Sequence, residues 1–111
     1  MNPIDLGYLQ NALSSFIDAS IQRVAHSGDL IYWFRITAAE LKAATGRQRL
    51  HDTVIGDCVA FFESYRVTAD YDENFQAFNI KMDLNFCVLD PQQAAFLSTA
   101  MSTFRAENML S

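Results

Sequence analysis

The sequence predicts one α+β domain with helices at both ends and a three-stranded antiparallel sheet between them, and three observations carry that prediction. Apolar residues recur at helical spacing from Leu6 to Val24 and again from Leu50 to Tyr65. After Arg66 the period changes to two: Val67, Ala69 and Tyr71 alternate with Thr68, Asp70 and Asp72, and the even-numbered run Phe78, Ile80, Met82, Leu84, Phe86, Val88 follows. Half of the 111 residues are hydrophobic and only 19% are charged. Such a chain folds, and its length suits a single core spanning residues 1–111.

Asn2, Pro3 and Asp5 start the first helix: Asn caps open N–H groups, Pro is tolerated in the first turn, and Asp complements the positive end of the helix dipole. Ser27 and Gly28 stop it, and Ser20 is the one polar residue inside its apolar stripe. Leu30 to Ile36, aromatic and β-branched, reads as the first strand. Thr37 with Glu40, and Thr45 with Gln48, each have the spacing of a capping box. Two helices are therefore expected, Ala38 to Ala44 and about Gly46 to Tyr65, with a tight turn between them. The second turns Leu50, Val54, Cys58, Phe61, Phe62 and Tyr65 inward. It leaves Arg49, Asp52, Thr53, Gly56, Ala60, Glu63 and Ser64 on the solvent side, with Asp57 at the margin.

The alternating segments form a hairpin joined around Asp72 to Asn74. Its second strand is the longer, so its far half takes Leu30 to Ile36 as neighbour and it becomes the middle strand. Asp90-Pro91-Gln92-Gln93 repeats the capping logic and opens a last helix over 90–111, with a narrower stripe of Leu97, Ala100, Met101 and Phe104, used in packing or dimerisation. Strand alternation sends Trp33 to the face opposite Tyr32 and Phe34. Both faces then need cover, from the first and last helices or from a second subunit.

This order resembles a winged helix-turn-helix domain. The resemblance rests on the strand Leu30 to Ile36 running into Ile-Thr-Ala-Ala-Glu-Leu at 36 to 41, the turn Ala44-Thr45-Gly46 and the hairpin Val67 to Phe86, and the last helix is an addition. In such domains the helix after the turn enters the major groove. The resemblance therefore implies DNA contacts from Lys42, Arg47, Gln48, Arg49 and Thr53, with Lys42 meeting a phosphate and the arginines and Gln48 suited to base edges. The expected function is a small cytoplasmic DNA-binding protein, a regulator or a plasmid or phage accessory protein, acting on double-stranded DNA as a homodimer built on its first and last helices.

Charge sets a second expectation beside the first. Eight Lys and Arg stand against thirteen Asp and Glu, a formal charge of -5, and affinity for DNA scales with the phosphates neutralised. The hairpin tip carries Asp70, Asp72 and Glu73, and the outer face of the would-be reading helix carries Asp52, Asp57 and Glu63. These six residues suit a protein-interaction module, an adaptor or inhibitor that offers carboxylates to a basic protein surface.

Other chemistry leaves little trace. Cys58 and Cys87 lie outside any CxxC pattern, His26 and His51 lack a second ligand at usable spacing, and the acids at 70–73 lack the glycine and later glutamate of a calcium loop. No phosphate-cradling glycine loop, nucleophile elbow or HExxH helix occurs. An enzyme, a metal and a cofactor are not expected. The apolar runs are too short to span a bilayer and the start lacks the pattern of a secretory signal, so a cytoplasmic location without membrane contact is expected.

Overall fold

The computed structural model describes residues 1–109. Its elements are α1 (Pro3–Ser27), β1 (Ile31–Thr37), α2 (Ala38–Thr45), α3 (Asp52–Ser64), β2 (Thr68–Asp72), β3 (Ala77–Asp83) and α4 (Pro91–Met109). Leu110 and Ser111, inside the span expected for the last helix, lie outside the described residues.

α1 is bounded as its caps dictate. The Asn2 side chain accepts from the Asp5 N–H at 2.8 Å, and Gly28 closes the helix at φ 72 with its N–H on the Val24 carbonyl. Ser20 is fully buried, yet its hydroxyl donates to the Phe16 carbonyl at 2.7 Å, so the polar residue in the stripe leaves nothing unpaired.

The sheet has the order β1-β3-β2, antiparallel throughout, with the last strand in the middle as the alternation required. β1 pairs with β3 from Ile31↔Asp83 to Thr37↔Ala77, and β2 pairs with β3 from Thr68↔Lys81 to Asp72↔Ala77. The inner face, with Ile36, Ala69, Phe78, Ile80 and Met82, forms one core with Leu9, Leu13, Ile17 and Val24 of α1 and Cys58, Phe61 and Phe62 of α3. Burying this apolar surface is the main stabilising term.

The outer face is not covered. Trp33 is 64% exposed and Ile31 44%, while their even-numbered neighbours on β1 turn toward the core. Neither α1 nor α4 wraps this side, so of the two covers expected for the outer face of β1 the helices do not supply it. The reason is that α4 packs along α1, whose opposite flank already faces the sheet. Gln93 shares a depression with Leu13 and Ile17, and the Phe104 ring lies against Gly28, so the two helices run parallel. Of α4 only Ala100 is fully buried, and its last residues run past the end of α1, giving dimensions of 53 × 29 × 21 Å.

Two boundaries differ from the sequence reading by more than a single residue. α3 begins at Asp52 rather than Gly46, because the second capping box does not form: the Thr45 hydroxyl donates back to the Leu41 carbonyl at 2.7 Å and Gly46 takes φ 74 as the cap that ends α2. The first box, Thr37 with Glu40, is present with both of its bonds. β3 ends at Asp83 rather than Val88. The Asp83 carboxylate accepts from the Asn85 backbone N–H at 3.0 Å and its side-chain amide at 2.9 Å, closing a turn that buries Leu84 and Cys87 and leaves Phe86 outside.

Candidate interaction surface

With α3 starting at 52, residues 46–51 form a loop, and Arg47 pins it. Its guanidinium donates from Nε to Asp5 Oδ1 at 3.1 Å and from Nη2 to Asp5 Oδ2 at 2.5 Å, a fork that matches both carboxylate oxygens. The hydrogen bond to Asp5 raises the Arg47 pKa above its ordinary value. Asp5 is 3% exposed and continues the buried line of Leu9 and Leu13 on α1. Beneath the pair, burial together with Asp5 and Asp57 pushes the Cys58 thiol up to about 11.

Arg47 is thus committed within the fold, whereas its expected companions are open. Lys42 from α2, Gln48 and Arg49 from the loop, and Asp52 at the start of α3 line one solvent-open depression of about 460 Å³, closed on the far side by Gln76 of the hairpin turn. A neighbouring depression of about 410 Å³ is lined by Arg47, Gln48, Arg49 and His51. Thr53 is exposed on the first turn of α3 and lines neither. The predicted DNA contacts therefore gather at one place except for Thr53, and an acid stands among them.

The six predicted acids divide into two groups. Asp52, Asp57 and Glu63 are exposed along α3, whose thirteen residues contain no Lys or Arg. Asp70 and Asp72 belong to the outer face of the sheet, away from α3, with Glu73 beyond them at the turn. Asp70 accepts from Asn79 at 3.3 Å, and Asp72 accepts from the Asn74 and Phe75 N–H groups at 2.9 and 3.3 Å, which makes it the clasp of the hairpin.

The outer sheet face also holds a group outside the predicted sets. Arg35 lies 5.4 Å from the Phe75 ring centroid and donates to Asn79 at 3.3 Å, and Lys81 lies 5.8 Å from the Trp33 ring. The alternation that exposed Trp33 was the signal for it. Among the described residues no three His, Cys, Asp or Glu side chains come together as metal ligands, and no helix is long and apolar enough to cross a membrane. Compared with known proteins, the chain matches no family, and no curated protein or solved structure matches it significantly.

Proposed function

We propose that the chain is a cytoplasmic winged-helix module for protein interaction, an adaptor or inhibitor that sets the carboxylates of α3 against a basic protein surface. The order of helix, strand, two helices and hairpin, with strand order β1-β3-β2, supports the winged-helix reading. Two free, buried cysteines suit a reducing compartment. The observation that carries the function is the later start of α3. It leaves Arg47 and Arg49 off the helix, so α3 itself presents Asp52, Asp57 and Glu63 and contains no Lys or Arg. Such a helix repels phosphates and attracts Lys and Arg.

The test is binding of an arginine-rich peptide and of duplex DNA by fluorescence anisotropy over a salt series. Reversal at the α3 face (Asp52→Lys, Asp57→Lys, Glu63→Lys) is set against reversal of three remote acids (Asp18→Lys, Asp29→Lys, Glu107→Lys). Peptide binding lost only in the first variant supports the proposal, and equal loss in both removes it. A second reading, DNA binding, is favoured by the open depression of Lys42, Gln48 and Arg49. It requires that the wild type bind the duplex and that Lys42→Ala and Arg49→Ala each weaken binding and lower the salt slope.

A further inference from the structure

The sheet order leaves both β1 and β2 with one unpaired edge. β2 is short and carries Asp70 and Asp72, which guard it against a second strand. β1 is seven residues long, Ile-Tyr-Trp-Phe-Arg-Ile-Thr, with a single charge and neither Pro nor Gly.

The hydrogen bonds that bracket β1 show which of its backbone groups face outward. Leu84 N–H donates to the Leu30 carbonyl and Ala38 N–H to the Gln76 carbonyl, both at 2.8 Å. In the register Ile31↔Asp83 to Thr37↔Ala77, these bonds make the even-numbered residues the ones bonded to β3. The odd-numbered residues Ile31, Trp33, Arg35 and Thr37 turn their N–H and C=O groups away. Thr37 caps α2, and its N–H is taken by the Glu40 carboxylate at 3.2 Å. Ile31, Trp33 and Arg35 remain, evenly spaced about Trp33.

We propose that this edge binds a second copy of the chain, β1 against β1 in antiparallel sense about a twofold axis at Trp33, joining two three-stranded sheets into one. The occupant follows from self-complementarity. In this register Trp33 faces Trp33 of the second copy and Ile31 faces its Arg35, so every free N–H and C=O of the three residues finds a partner. Centring the axis on Arg35 would set two guanidinium groups opposite each other, and centring it on Ile31 would run Trp33 and Arg35 against the bend at 27–29. The side chains agree with the backbone. On the outer face the two indoles meet at the axis, flanked by Ile31. Arg35 comes near the exposed Asp29 of the second copy, just before the start of its β1, a pairing of opposite charges. On the inner face Tyr32 meets Phe34 of the second copy, beside Arg23, whose guanidinium lies 5.9 Å from the Tyr32 ring centroid and 5.4 Å from that of Phe34, and beside Phe16, stacked on Phe34 at 4.4 Å. The contact would cover Trp33, the largest exposed side chain of the sheet.

Trp33 is the only tryptophan, so it reports directly on the axis. The experiment follows molar mass by light scattering and tryptophan emission over a concentration series of the full chain. The expected result is a change from monomer to dimer mass with a blue shift of emission at the same midpoint. Ile31→Lys is expected to hold the mass at the monomer value and the emission red at every concentration. It keeps the fluorophore, and far-UV circular dichroism checks that the variant is folded. Trp33→Pro removes an outward N–H together with the indole at the axis, leaves the bonds to β3 in place, is followed by mass alone and is expected to abolish the dimer as well. A wild type that stays monomeric at every concentration overturns the proposal. So does a dimer that persists in folded Ile31→Lys with unshifted emission, because its contact then lies elsewhere.

Discussion

The carboxylate of Asp5 and the guanidinium of Arg47, 42 residues apart in the chain, form a two-bond fork that ties the first turn of α1 to the loop leading into α3. Asp5 is nearly inaccessible to water, so this carboxylate depends on Arg47 for its charge compensation. Arg47→Ala is therefore expected to lower the urea midpoint without changing the slope, and Arg47→Lys, which keeps the charge but not the fork, to fall between it and the wild type. If Arg47 served a ligand instead, Arg47→Ala would alter binding and leave the midpoint in place.

The two threonines that look alike in sequence should behave differently. Thr37 makes a full capping box, so Thr37→Ala is expected to cost about 1 kcal/mol. Thr45 only bonds back into its own helix, so Thr45→Ala is expected to cost less than about 0.5 kcal/mol. Chemical unfolding of the two variants side by side measures the difference.

Gly28 combines a left-handed backbone, φ 72, with an aromatic ring in the space where a Cβ would stand. Gly28→Ala is expected to destabilise by more than about 1 kcal/mol, since both the conformation and the contact with Phe104 oppose it. Adding Phe104→Ala should recover part of the loss. The non-additivity measured in that double-mutant cycle isolates the steric share from the backbone share.

Burial, with Asp5 and Asp57 nearby, lifts the Cys58 thiol from an ordinary 9.0 to about 11, and burial raises Cys87 too. A raised pKa in the folded state means that folding favours the protonated thiol. That contribution is complete below pH 9 and is lost as pH climbs through about 11. Stability should accordingly decline between these values, and less so in Cys58→Ala. Iodoacetamide at mildly alkaline pH should label both cysteines slowly in the native protein and quickly in urea.

Local signals in the sequence decided most of the fold. The caps of α1, the first box at Thr37 and the alternation through β2 and β3 act over a few residues, and each holds in three dimensions. The Thr45 box fails because Gly46 follows it, and a glycine free to take a left-handed turn ends α2 before Gln48 can reach back. The alternation through Leu84, Phe86 and Val88 misled for a similar reason: the Asp83 side chain offers the backbone a turn in place of the ladder. The site was legible only in part. Lys42, Gln48 and Arg49 do converge, but the partner of Arg47 comes from the far end of the chain. The one clue to it was that Asp5 falls four residues before Leu9 on the buried line of α1.

The overhang of α4 past α1 has a hydrodynamic consequence. A compact chain of this length has a radius of gyration of roughly 13 Å, whereas this one has 15.7 Å. Drag rises with that elongation, so a single copy will leave a sizing column early and sediment slowly for its mass. Elution volume alone would therefore mistake the monomer for a larger assembly, and shortening the chain at the end of α4 should move the peak later by more than the lost residues account for.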